Sequence, residues 1–128
     1  MKKATLEWIE IAEGDWNTAT RESRVEDNPN YKAVSFHAQQ CGEKYLKAII
    51  QDFNADPQRT HDLTTLLHRV LSFRPNLDDL HESCVELTYF AVDHRYPGTT
   101  TSRNEAALAL RHASVIREKV RGLFGLPV

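Results

Sequence analysis

The chain has 128 residues, of which 41% are hydrophobic and 27% charged, with a net charge of −2. That length suits one domain that buries roughly two thirds of its unfolded surface, and the balance excludes a disordered chain. A nearly neutral whole has no electrostatic drive toward nucleic acid or an anionic membrane, so any anion site must be a local patch.

The first predicted helix runs from Lys3 to Ser23, because Trp8, Ala12, Trp16 and Ala19 recur at helical spacing with Ile9 beside them. Gly14 weakens that helix without ending it. Glu26-Asp27-Asn28-Pro29-Asn30 is a break, and Asn30 is placed to cap the next helix. The second helix runs from Tyr31 to Phe53, with Val34, Ala38, Cys41, Tyr45, Ala48 and Ile49 on one stripe. Phe36, Leu46 and Ile50 lie off that stripe, and a helix apolar on more than one side is either central in a bundle or touches a partner. After a loop containing Pro57, Thr60 or Asp62 caps a short third helix carrying Leu63, Leu66, Leu67, Val70 and Leu71, which Arg74-Pro75-Asn76 ends. A fourth helix starts near Leu77 and carries Leu80, Cys84, Leu87, Phe90 and Ala91 until Pro97-Gly98 stops it after Arg95-Tyr96. Ser102 with Glu105 makes a capping box for a last helix from Arg103 to Leu123. Its Ala106, Ala109, Ala113, Ile116, Val120 and Leu123 form a heptad-like seam. With no competing strand pattern or repeat, residues 1–128 read as a single all-α domain, an up-and-down antiparallel bundle of four long helices and one short one.

No apolar run approaches the roughly 20 residues of a membrane span. Glu7 and Glu10 follow Met-Lys-Lys-Ala too closely for a signal-peptide core, and the cysteine usage carries the expectation of a reduced, cytoplasmic setting. The two cysteines, Cys41 and Cys84, form no C-x-x-C and fall in helical patterns, as reduced core thiols do.

Three segments could carry chemistry. His37, Gln40, Lys44 and Lys47 follow one another at steps of three, four and three, and so share a flank of the second helix. They are either a solvated polar face or a cradle for a phosphate and a base edge. Gln39 and Glu43 lie to the other side, lining a partner interface or exposed. His61-Asp62-Leu63 opens the third helix, where Asp62 is a cap or, with the helix start, orients His61 toward a site. Asp93-His94-Arg95-Tyr96-Pro97-Gly98 offers a cation and a ring held by a turn, or simply a cation favoured at a helix C-terminus.

Several chemistries are discounted. One Asp78-x-x-His81 is not the pair of Glu-x-x-His motifs that a bundle di-iron site needs, so no metal is expected. There is no G-x-S-x-G elbow, P-loop or G-x-G-x-x-G, and no cofactor is expected.

Taken in order, Ala33-x-x-x-x-Ala38-Gln39-Gln40-x-x-Glu43-Lys44-x-x-Lys47-Ala48, then His61-Asp62-Leu63, then Arg95-Tyr96-Pro97, closed by an alanine-spaced helix, resemble the stand-alone HEPN domains of prokaryotes over nearly the whole chain. The resemblance implies a helical bundle, commonly a homodimer, linked to nucleotides or RNA. It also implies a separate nucleotidyltransferase as partner, in some cases as a toxin–antitoxin pair. Many such proteins are ribonucleases marked by Arg, four to six residues, then His. Here the positions after Arg95 are Thr100, Thr101 and Ser102, and the pattern also fails from Arg103, Arg111 and Arg117. No catalytic residue is carried over from these positions. The resemblance keeps the shell of Gln40, Lys44, Lys47, His61 and Arg95 as a binding site, beside His37, Asp62 and Tyr96. A divergent metal-independent ribonuclease using His37, His61 or His94, and a ligand-free adaptor dimer, are the alternatives.

Overall fold

The periodic apolar spacing becomes five α-helices in a computed structural model that describes residues 1–93 and 97–128. They are α1 (Lys3–Ser23), α2 (Tyr31–Asp52), α3 (Leu63–Leu71), α4 (His81–Asp93) and α5 (Arg103–Leu123). A 3-10 helix, Pro75–Leu80, joins α3 to α4. The sequence puts Leu77 to Leu80 in the fourth α-helix, but Pro75 at the first turn has no amide to donate, and this stretch closes in the tighter form.

The capping chemistry is that of the sequence. Asn30 accepts from the Ala33 amide, and Asp62 from that of Thr64. Ser102 and Glu105 form the reciprocal capping box. α2 ends in a Schellman turn: Asn54 adopts a positive φ of 61°, its amide reaches the Gln51 carbonyl, and the Ala55 amide reaches that of Ile50.

Contacts along the helices fix their directions. The Lys2 ammonium donates to the Asp52 carbonyl while His37 meets Asp15, so α1 and α2 are antiparallel. His61 lies at Glu43, and the stacked rings of Phe53 and Phe73 are 4.6 Å apart, so α3 doubles back and runs with α2. The Leu63 amide donates to Thr88, which makes α4 antiparallel to α3. Arg121 reaches Tyr45 while Ile116 lies at Gly42, so α5 runs with α2. The four long helices therefore alternate in direction, with α3 tucked alongside.

α2 packs against all four other helices. That centrality explains its two apolar sides: Leu46 and Ile50 are buried inside the subunit, and of the three off-stripe residues only Phe36 is exposed. The α5 seam, Ala106 to Val120, is likewise buried within the chain. Gly42 marks the tightest crossing, where a Cβ would stand 3.0 Å from Leu87, 3.1 Å from Leu63 and 3.2 Å from Ile116. No helix among the described residues is long and apolar enough to cross a membrane.

Candidate functional site

Burial on α2 decides the geometry of the site. Gln39 and Glu43, expected from the sequence at a partner interface or in solvent, are fully enclosed, with Glu43 only 1% exposed. An ionised carboxylate in such a place must be paired and hydrogen-bonded. Glu43 accepts from Lys47 at 3.1 Å, from Gln39 at 3.2 Å and from Nδ1 of His61 at 2.9 Å, with the Lys44 ammonium 3.5 Å away. Burial works to raise its carboxyl, but the hydrogen bond with His61, the charges of Lys44 and Lys47 and the Lys47 hydrogen bond prevail, and the group is held below its ordinary value.

A chain of side-chain amides continues from this centre. Lys44 donates to Gln40 at 2.5 Å, Gln40 to Gln39 at 2.7 Å, and Gln39 to the backbone carbonyl of His61 at 3.1 Å. The Ala-Gln-Gln-x-x-Glu-Lys block is thus the device that fastens the loop before α3 to the middle of α2. His61 is held there by its ring and its carbonyl, yet its side chain keeps 59% of its surface open.

The predicted flank of His37, Gln40, Lys44 and Lys47 divides. His37 turns to α1 and meets Asp15 at 2.8 Å. Lys47 is buried, with its ammonium on Glu43 and 5.6 Å from the Trp8 ring, so it balances the carboxylate and does not face solvent. Gln40 and Lys44 are joined to His61 through Gln39, and Lys47 through the shared Glu43 carboxylate. Asp62 does not orient His61: its carboxylate accepts from the amide and hydroxyl of Thr64 and caps α3. Glu43 holds the ring instead. Arg95 and Tyr96, with His94, lie outside the described residues.

A second polar centre escapes the sequence reading. Glu13 on α1 accepts from Arg117 on α5 through Nε at 3.0 Å and Nη2 at 2.5 Å, and from the hydroxyl of buried Tyr45 at 2.5 Å. Arg121 donates to the Tyr45 hydroxyl at 3.1 Å, and the Arg117 guanidinium lies 5.0 Å from the Trp16 ring centroid. Burial pushes the Glu13 carboxyl up, but the hydrogen bonds of Arg117 and Tyr45 and the charges of Arg117 and Arg121 hold it below its ordinary value. This clamp joins α1, α2 and α5. Its ends are 104 positions apart, so no local spacing announces it.

Chemically, the His61 centre can hold an anion and exchange a proton, and among the described residues no group of three or more His, Cys, Asp or Glu is placed to hold a metal. The fold has solved counterparts. TT1696 from Thermus thermophilus superposes with a TM-score of 0.82 at 22% identity, over 94% of this chain and 98% of that one. ST0689, described as an archaeal HEPN homologue, does so with a TM-score of 0.74 at 23% identity, over 96% and 98%. No curated protein matches the sequence. The HEPN domain model matches residues 5–123, from the start of α1 to the end of α5, and the chain belongs to the HEPN domain family.

Proposed function

We propose that this HEPN domain is a binding module for a nucleotide or an RNA phosphate, acting with a separate nucleotidyltransferase in a toxin–antitoxin-like pair. The observation behind the binding role is the charge inventory at the centre of α2. One carboxylate, Glu43, stands against the two ammonium groups of Lys44 and Lys47. Lys47 is the more enclosed and the closer to the carboxylate, so the surplus cation is Lys44, 16% exposed, beside the largely exposed ring of His61. That is the local patch a chain of net charge −2 needs in order to attract an anion. Gln40 adds an amide for a base edge, and the family resemblance adds Arg95 and Tyr96. The partner assignment rests on the same resemblance.

Calorimetric titration of ATP, GTP and short RNA tests this reading. Micromolar to millimolar affinity is expected, about −8 to −4 kcal/mol. Lys44→Ala and Arg95→Ala should each cost about 1.5–3 kcal/mol of binding. Arg95→Lys should also weaken binding, since a point charge lacks the bidentate fork. Added salt should lower the affinity. Equal binding by all the proteins, or none at millimolar ligand, would replace this reading with that of an adaptor.

One observation favours a second reading. A buried carboxylate orients Nδ1 of His61 while more than half of the ring's surface stays open, an arrangement suited to general acid–base work on an RNA 2′-hydroxyl. Cleavage of RNA in the presence of a metal chelator, lost in His61→Ala, would establish it.

HEPN proteins often form dimers, and we propose a homodimer here. The α2 and α5 stripes are consumed inside the subunit, so its support moves to α4. There Val85 and Tyr89, one turn apart, are 42% and 50% exposed. A monomer of 14.7 kDa by light scattering at micromolar concentrations would remove it.

A further inference from the structure

At the end of the bundle farthest from the α1 start, α1 stops while α2 and α5 begin. There Ser23, Arg24, Val25, Glu26, Tyr31 and Arg103 line an open pocket of about 460 Å³. Tyr31 and Arg103 are the first residues of 22- and 21-residue helices, whose first turns are capped by Asn30 and by the Ser102–Glu105 box. The negative end of α1 lies here too, with Arg24 as its C-cap. Two guanidiniums stand against one lining carboxylate, Glu26. Glu22, a turn earlier, is engaged by the Asn30 amide at 2.9 Å. Among the described residues neither Arg24 nor Arg103 has a carboxylate within salt-bridge distance. Nothing in the sequence pairs these two arginines, which are brought together only by the meeting of α1 and α5.

We propose that this pocket binds a phosphomonoester, with Arg24 and Arg103 on the phosphate and the ring of Tyr31 beside the group it carries. Guanidinium forks match phosphate oxygens, and neither arginine is committed to an ion pair among the described residues. The volume lies within the range of about 300–1,000 Å³ typical of small-molecule sites. A half-buried tyrosine ring offers a stacking face for a planar substituent such as a nucleobase. The site is independent of the Lys44–His61 centre. Tyr31 and Lys44 are thirteen residues apart on α2, about 20 Å at 1.5 Å per residue. A free nucleoside monophosphate and the 5′ end of an RNA carry the same chemistry.

The test is an amide NMR titration of the full chain with AMP, adenosine, and a tetraribonucleotide with and without its 5′-phosphate. AMP should shift the amides of Arg24, Tyr31 and Arg103, and adenosine should bind at least about tenfold more weakly. The double variant Arg24→Gln, Arg103→Gln should lose AMP affinity about tenfold or more, with its spectrum otherwise folded, while Lys44→Ala leaves these shifts unchanged. A phosphorylated tetranucleotide that binds where its 5′-hydroxyl form does not identifies an RNA end as the source, and AMP binding alone identifies the free nucleotide. Equal binding of AMP and adenosine, wild-type affinity in the double variant, shifts confined to residues 40–61, or no shift at about 10 mM AMP would each overturn the proposal. Loss of shifts at residues 40–61 in Lys44→Ala, with those of Arg24, Tyr31 and Arg103 intact, would show that the two sites bind separately.

Discussion

Nδ1 of His61 lies 2.9 Å from Oε1 of Glu43, so a largely exposed ring and an almost fully enclosed carboxylate share one hydrogen bond. An ionised carboxylate only accepts, so Nδ1 carries the proton, and in the neutral ring Nε2 is left as an acceptor toward solvent. The same carboxylate balances Lys47. Glu43 is therefore both the keystone of the α2–α3 junction and the residue that sets the tautomer of His61.

Removing Glu43 should cost far more than removing His61. Glu43→Gln leaves Lys47 enclosed without a counter-charge, and about 3–5 kcal/mol of stability should be lost. His61→Ala removes an exposed partner and should cost about 1 kcal/mol. Urea denaturation of the two variants measures the contrast. Equal midpoints would show that the Glu43 network does not hold the fold.

The pH dependence follows from the two lowered carboxyls. Glu13 and Glu43 bind their protons less readily folded than at the unfolded value of 4.5. Their contribution is fully present above that value and is lost as pH falls through the lower folded values. Thermal stability should therefore decline on acidification from about pH 5 toward pH 3. Glu13→Gln should be less stable at pH 7 and show a shallower acid decline than wild type. Parallel profiles would mean that the clamp with Arg117 does not stabilise the folded state.

Gly42 should not tolerate a branched side chain. Its absent Cβ would already press on Leu87, Leu63 and Ile116 at 3.0–3.2 Å, and valine adds two further carbons at that crossing. Gly42→Val should cost about 1–3 kcal/mol or more, despite the poor helix propensity of glycine. Differential scanning calorimetry gives the answer, and an unchanged Tm would mean that α2 and α4 separate easily.

The cysteines should be inert while the chain is folded. Burial, followed by the negative charges of Glu13 and Asp15, raises the Cys41 thiol far above its ordinary value, and burial, then Asp62, pushes Cys84 up to about 12. Neither can present a thiolate at pH 8. Ellman's reagent should then react at the rate of global unfolding and faster in Gly42→Val. Immediate labelling of native protein would place a thiol at the surface.

The elements and their ends were legible in the sequence because their causes are local. Ala12, Ala19 and Ile9 recur at the helical period, Asn30 and Ser102 each reach an amide three residues on, and Pro75 breaks the chain where it stands. The family was legible as well, because its motif order is linear. What α2 does with its polar residues was not. Gln39, Glu43 and Lys47 follow one another at steps of four, a spacing that on a surface helix marks exposed ion pairs. Whether such a line is solvated or buried depends on what covers it. Here the loop before α3 and the helices around α2 cover it, converting a polar face into an enclosed network that holds Lys44 and Lys47 on Glu43 while His37 turns away to Asp15. The Glu13–Arg117 clamp and the meeting of Arg24 with Arg103 are also tertiary decisions. A charge-assisted contact acts over a few ångströms, and only the packing of α1 against α5 brings residues so distant along the chain within that reach.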